Sequence, residues 1–236
     1  MVNLSVNINK IATIRNARGG DTPNVLKSAI YCQNFGADSI TIHPRPDERH
    51  ITRKDVFDIK HVITTEYNIE GYPSEDFMKI VLEINPQQVT LVPDGPNVLT
   101  SCEGWDTIRQ KDFLKNIISI LKEKGIRTSI FISPEIEMIE GAKICGADRI
   151  ELYTEYYALN YPLNKENAID PYILAAKKAT ELGLAINAGH DLNLQNLEFF
   201  AKKIPHLAEV SIGHALISDA IYLGLENAIQ MYKRLL

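Results

Sequence analysis

Cysteine is scarce: Cys32, Cys102 and Cys145 are all that 236 residues contain, odd in number and far apart. That spacing argues against a disulfide framework and against a cysteine-rich zinc site, and it leaves Cys32 and Cys145 as packing residues on apolar helix faces. Positive charge is also short. With 25 Lys and Arg against 30 Asp and Glu the net charge is -5, so nucleic acid is not an expected partner and any anion site must be local. No apolar run reaches the length of a membrane span, and the first residues, Met-Val-Asn-Leu-Ser-Val-Asn, hold no basic region followed by an apolar core. The expectation is a soluble, intracellular chain with no membrane partner. There is no low-complexity linker and no break in composition. At 45% hydrophobic residues the chain can bury a full core, and one domain over 1–236 is expected.

What is present is an alternation of short strand-like and longer helix-like segments. Strands are predicted over 4–9, 38–43, 67–70, 88–92, 128–132, 149–153, 185–188 and 209–212. Helices are predicted over 23–35, 52–64, 74–84, 109–124, 134–145, 170–182 and 194–203, and from 213 to the end with an interruption at Gly224. Thr52 and Ser74 are the expected N-caps. Gly-Ala-Asp recurs at 36–38 and 146–148, each time as a glycine that closes a helix just before a strand. Eight strand–helix units in this length indicate an α/β protein of the (β/α)8 TIM barrel type. The rival, an open doubly wound sheet, usually carries a Gly-rich loop after its first strand. Here residues 11–20 place their glycines only at the end, at Gly19 and Gly20.

Each predicted strand has an apolar face, as in Leu4, Val6 and Ile8 or Ile150 and Leu152, and a polar one: Ser5, Asn7, Asn9; Thr41, His43; Asn68, Glu70; Thr90; Ser129; Glu151; Asn187; Ser211. Helical crossovers make the strands parallel and cover one face. The polar set then points into the lumen of a closed barrel, where it must bond to itself, to water or to a ligand. A partly polar lumen is the mark of a site reaching into the barrel.

Of six histidines, four stand at or just past predicted strand ends: His43, His50, His190 and His214. This fold places its active site at that rim. His61 and His206 fall on helix or loop surface and are expected to be inert. Glu70, at the rim, suits a general base whose pKa burial raises; Glu151, deeper, suits the stabilisation of positive charge. Each could equally be a paired structural carboxylate. The Ser211-Ile212-Gly213-His214 stretch closes a strand and opens a helix, a place suited to phosphate. Arg18 could reach it from the loop after the first strand, and Arg45 with His50 forms a second cationic group. Arg15, Arg18 and Arg49 could instead simply pair with surface carboxylates. The loops 93–105 and 154–167 are candidates for a mobile cover.

Two other readings compete. A metal-dependent barrel hydrolase often has His-x-His on its first strand, where this chain has Asn7-x-Asn9. A Schiff-base sugar-phosphate aldolase needs a buried lysine, and only Lys10 lies near a strand end. A phosphate-binding scaffold without turnover is the non-enzyme alternative.

Val6-Asn7-Ile8-Asn9 with Arg15-Asn16-Ala17-Arg18-Gly19, His43-x-Arg45-x-Asp47-x-Arg49-His50-Ile51, Leu91-Val92-Pro93, Asn187-Ala188-Gly189-His190 and Ile212-Gly213-His214-Ala215 together resemble the pyridoxine 5'-phosphate synthase family, in the family's order and over nearly the whole chain. The resemblance implies a cofactor-free and metal-free barrel, octameric and cytoplasmic, acting in vitamin B6 synthesis. It would join 1-deoxy-D-xylulose 5-phosphate to 3-amino-2-oxopropyl phosphate, giving pyridoxine 5'-phosphate, phosphate and water. By position it makes His43 and Glu70 proton acceptors, His190 a proton donor and Glu151 a transition-state stabiliser. Arg45, His50 and Thr100 would hold the deoxyxylulose phosphate; Asn7, Arg18, Gly213 and His214 the amino-ketone phosphate. Asn9 and Lys10 stand where many members have Asp-His, and Asp191 where glycine is common; all three join the expected substrate-binding set.

Overall fold

Eight parallel strands close into one barrel in sequence order, β1 beside β8. In this computed structural model, which describes residues 1–94 and 103–236, the order is β1 (Asn3–Asn7), α1 (Asn9–Arg18), α2 (Val25–Asn34), β2 (Ser39–Ile42), α3 (Arg53–Lys60), β3 (Glu66–Gly71), α4 (Glu75–Ile84) and β4 (Gln88–Leu91). The second half runs α5 (Lys111–Glu123), β5 (Arg127–Ile132), α6 (Ile136–Cys145), β6 (Arg149–Tyr153), α7 (Glu155–Asn160), α8 (Lys165–Glu181), β7 (Ala185–Gly189), α9 (Leu197–Lys203), β8 (Leu207–Ile212), α10 (His214–Leu223) and α11 (Leu225–Lys233).

Local chemistry sets the boundaries. Thr52 accepts from the Asp55 N–H while Asp55 accepts from the Thr52 N–H, a full capping box for α3. Ser74 caps α4 through the Phe77 N–H. The Gly-Ala-Asp repeat has one geometry in both halves. Gly36 and Gly146 take φ of 102° and 89°, the left-handed region that glycine enters without penalty. The aspartate then ties down the strand before: Asp38 accepts from the Leu4 N–H at 2.8 Å, and Asp148 from the Thr128 N–H at 2.9 Å.

Two stretches differ from expectation. Asn9 does not continue the first strand; it opens α1, so the segment expected as a loop is a helix ending at Arg18. Its apolar positions are spread around the axis and leave no clear stripe, so helical periodicity is faint there. The expected cover at 154–167 is mostly helix, α7 and the start of α8, and α8 begins five residues before the predicted start because Asn164 caps it through the Asn167 N–H. Of the other expected cover, residues 95–102, with Thr100, lie outside the described residues.

The apolar strand faces, Leu4, Val6, Ile40, Ile42, Val89, Leu91, Ile150, Leu152 and Val210, are buried beneath the helices. Cys32 and Cys145 are buried free thiols among them. Among the described residues no helix is long and apolar enough to cross a membrane.

The lumen is polar and largely cross-linked. Ser5 Oγ donates to Ser39 Oγ at 3.0 Å and shares a 2.6 Å hydrogen bond with Thr41 Oγ1. Asn68 Nδ2 donates to Thr41 Oγ1, and Thr90 Oγ1 to Asn68 Oδ1, both at 3.1 Å. Towards the amino ends of the strands Arg127 pairs with Glu66 and donates to Gln88. Arg149 Nη1 donates to Asn187 Oδ1, and Asn187 Nδ2 to Glu209 Oε1, each at 3.1 Å.

Candidate active site

The strands deliver their functional groups by alternation. Register sets Thr41 of β2 beside Asn68 of β3 and Glu70 of β3 beside Thr90 of β4, and it aligns Glu151, Asn187 and Glu209 across β6, β7 and β8. Lumen-facing side chains two residues apart on one strand climb towards the mouth. Glu209 and Glu151 therefore lie within the barrel, while Glu70, His43 and Gly189 stand where the strands end.

His43 follows β2 directly, and Asn9 holds it there: the His43 N–H donates to Asn9 Oδ1 at 2.9 Å. Asn9 itself is oriented by Asn7, whose Oδ1 accepts from the Asn9 N–H at 3.0 Å. The His43 and His50 rings are 6.1 Å apart. Burial and then the charges of Arg45, His50 and Arg49 hold His43 well below the usual imidazole value. For His50, burial first and then Arg45 and Lys10 bring the value down to about 4. Both rings are neutral at pH 7. The Ile51 N–H donates to His50 Nδ1 at 2.9 Å, so the ring proton of His50 sits on Nε2 and can be offered to an anion.

Glu70 keeps a partial opening to the mouth, and its carboxyl is pushed up to about 8 by burial and by Asp94, against the pull of Arg45. Glu151, 3% exposed, is raised as well, by burial first and then by Glu70 and Glu209. Glu209, buried, rises to about 7 through burial, with Arg149 opposing. All three carboxyls are raised chiefly by burial, with Glu209 adding to the rise of Glu70, and Glu70 and Glu209 adding to that of Glu151. Glu151 Oε2, Glu209 Oε2 and Ser129 Oγ have no hydrogen-bond partner among the described residues.

The anion corners come out differently. At the β8–α10 junction the helix starts at His214, with Gly213 as a cap that offers no side chain. A Cβ at Gly213 would lie 3.1 Å from Asn7 Cβ and Cγ, so glycine lets α10's free N–H groups come close to Asn7. His214 is exposed there and close enough to Asp191 to steady its charge. Arg18 is exposed at the end of α1. On the other side, Arg45 is buried in a 2.8 Å ion pair with Asp94. Lys10 lies near enough to His50 to act on its charge.

Arg15 follows the bland reading in a buried form: it makes a 2.6 Å pair with Asp55 and donates to the His50 carbonyl at 3.1 Å. Arg49 pairs with Asp47 at 2.7 Å. A separate cleft of about 720 Å3 opens on the flank between residues 15–26 and 48–58; its Arg15 and Lys54 are already paired with Asp55 and Asp58. His61 and His206 are exposed.

Sequence reasoning passed over an apolar cluster and Asp94 at this mouth, and Glu209 deeper in the lumen. Val92, Phe131 and Tyr153 form a small apolar cluster of their own, and the Tyr153 ring meets the His190 ring edge-on at 4.9 Å. The alternation that picked out Glu151 would also have pointed to Tyr153. Glu209 was legible in the same way, two residues before Ser211 on one strand face. Asp94 carried no periodic signal. Among the described residues no group of three or more His, Cys, Asp or Glu side chains is arranged to hold a metal ion.

A closed parallel barrel with acid–base groups massed at the carboxyl ends of its strands defines a (β/α)8-barrel enzyme. The chain belongs to the family described as "Pyridoxal phosphate biosynthesis protein PdxJ", which it matches over residues 4–236. A relative from Bacteroides thetaiotaomicron, named "Pyridoxine 5'-phosphate synthase", is 59% identical over 236 residues, with 100% of each chain covered. One of the same name from Flavobacterium johnsoniae is 61% identical over 232 residues, 98% of each. Among solved structures, a tryptophan synthase alpha subunit from Campylobacter jejuni superposes with a TM-score of 0.65 at 13% identity, covering 100% of this chain and 95% of that one; that likeness concerns the fold alone.

Proposed function

We infer that the chain is a pyridoxine 5'-phosphate synthase, condensing 1-deoxy-D-xylulose 5-phosphate with 3-amino-2-oxopropyl phosphate in vitamin B6 synthesis. The observation that carries the assignment of chemistry to this site is the combination of raised carboxyls, Glu70 at the barrel mouth and Glu151 within the lumen below it, with neutral His43 at the same mouth. Joining an amine to a ketone, losing water and phosphate and closing a ring moves protons on and off nitrogen and oxygen repeatedly. Such steps need groups that change protonation near neutral pH.

In this reading the ionised form of Glu70 and the neutral His43 accept protons and His190 donates one. Glu151, in its ionised form, supports the positive charge that develops on nitrogen as the amine condenses, and that charge in turn favours the ionised carboxyl. His50 Nε2–H and Arg45 hold the deoxyxylulose phosphate, with Thr100 and Lys10; Arg45 does so by sharing its guanidinium between Asp94 and the ligand. Asn7, Arg18, His214 and the Gly213 N–H hold the second phosphate, and Asn9 acts by fixing His43. Burial of both phosphates beside the reacting carbons supplies orientation. The enzyme uses no metal or other cofactor, is a single domain over 1–236 and works in the cytoplasm as an octamer. Exposed apolar residues on α10, Ile221 at 68% and Tyr222 at 87%, support assembly.

The test is incubation of purified protein with both substrates while pyridoxine 5'-phosphate and inorganic phosphate are followed. Equal release of the two supports the reading. Turnover that needs neither substrate pair nor Glu70 overturns it. Light scattering on the same sample checks the oligomer.

A further inference from the structure

His190 and Asp191 are consecutive residues with left-handed backbones, φ 79° and 60°. Side chains with a Cβ rarely adopt that conformation even singly, and where they do the strain is often functional. Here several side chains impose it. The Thr154 hydroxyl donates to the Gly189 carbonyl at 2.8 Å with the His190 carbonyl also in reach. Asn196 Nδ2 donates to the Asp191 carbonyl at 3.2 Å. The turn brings Asp191 Oδ2 to 2.5 Å from His190 Nδ1.

We propose that Asp191 is the positioning residue of His190, holding the imidazole by its Nδ1–H so that Nε2 is the only nitrogen that delivers a proton. This rests on the reading of His190 as proton donor. The hydrogen bond to His190, helped by the charge of His214, keeps the Asp191 carboxyl below its usual range against burial. An ionised carboxylate only accepts, so Nδ1 carries hydrogen in every protonation state of the ring. The charged and titratable groups facing His190 among the described residues are Asp191 on its own turn, Tyr153 on β6 with Glu155 2.6 Å from its hydroxyl, Glu151 beneath Gly189, and His214 on α10. In the step itself the Nε2–H bond of the imidazolium breaks and its electron pair stays on nitrogen. The proton bonds to the hydroxyl oxygen of the amine–ketone adduct as its C–O bond breaks; that bonding pair leaves with oxygen as water, the adduct nitrogen's lone pair forms the C=N bond, and the Nδ1–H tautomer remains. The side chain is 28% exposed, so solvent can return the proton.

The experiment compares the full-length protein with Asp191→Asn, Asp191→Gly, Asp191→Glu and His190→Asn. Asp191→Asn and Asp191→Gly are expected to lower kcat at least about tenfold, with KM for both substrates within about threefold. Asp191→Gly suits the left-handed backbone and should keep or raise Tm, which separates positioning from folding. Asp191→Glu should restore part of kcat. Nitrogen NMR of the ring should show Nδ1–H alone in the parent and a mixture of tautomers in Asp191→Asn. The proposal is overturned by near-normal kcat in Asp191→Asn and Asp191→Gly while His190→Asn is inactive. It is equally overturned by a rise confined to KM, which would make Asp191 a substrate holder. Near-normal kcat in His190→Asn would instead remove His190 as donor, and the proposal with it.

Discussion

Asn7 and Glu70 meet across the barrel mouth: Asn7 Nδ2 donates to Glu70 Oε2 at 3.4 Å, joining the end of β1 to the end of β3 above Thr41 of β2. One side chain thus touches both the proposed base and the glycine that opens the β8–α10 anion corner. The same asparagine orients Asn9 and, through it, His43.

Glu70→Gln keeps that contact and removes the base. Turnover should fall by about 10²–10⁴, while calorimetric affinity for either substrate stays within a few fold. A near-normal rate would take Glu70 out of the mechanism.

Gly189 takes an ordinary backbone conformation, so its role is space. An added Cβ would overlap Glu151 Oε1 and approach the Ser211 carbonyl at 3.3 Å. Gly189→Ala should therefore displace the Glu151 carboxyl and cost at least about tenfold in kcat, with circular dichroism unchanged. Unimpaired catalysis would mean that the position of Glu151 does not matter.

Glu209 gives a stability signature with a definite sign. Its folded value, about 7, lies above the ordinary 4.5. The folded state keeps a proton that the unfolded chain has already lost, so the penalty is small below 4.5, grows as pH rises and is complete above about 7. Glu209→Gln should raise the unfolding free energy, and Tm with it, by an amount that increases from pH 4.5 to 7 and then levels off, on the order of 3 kcal/mol in free energy. It should also move the rise of kcat/KM governed by Glu70 to lower pH, because Glu209 is one of the charges that lift Glu70. A Tm gain independent of pH would contradict the assignment.

His50 titrates at about 4, so it is neutral throughout the physiological range. The ratio of Kd values for deoxyxylulose phosphate between His50→Gln and the parent should stay constant from pH 5.5 to 8. A ratio that rises on acidification through 6.5 would show that a charged imidazole holds the phosphate.

Arg15 and Asp55 form a buried pair, their side chains 9% and 12% exposed. Arg15→Ala leaves the carboxylate uncompensated and should cost about 3–5 kcal/mol in denaturant unfolding. Arg15→Met with Asp55→Leu should recover much of that loss. A single substitution that costs under about 1 kcal/mol would show the pair to be marginal.

The barrel and the rim residues could be read from the chain because both are repetitive and local. Hydrophobic alternation, capping by Thr52 and Ser74, and the glycines at 36 and 146 depend on neighbours within a turn or a strand. Position along each strand then tells which residues reach the mouth, His43, Glu70 and His190, and which lie deeper, as Glu151 does; both need only the strand ends and the closure rule. Pairing between distant segments has no such signature. That Arg45 would spend part of its charge on Asp94, that Arg15 would be buried against Asp55, and that Glu209 would sit in line with Glu151 were decided by barrel closure. Protonation belongs to the same class. Side-chain chemistry alone makes Glu70 an ordinary acid and His50 an ordinary imidazole; the removal of water and the gathering of like charges in one lumen move them in opposite directions, because burial always disfavours the charged form.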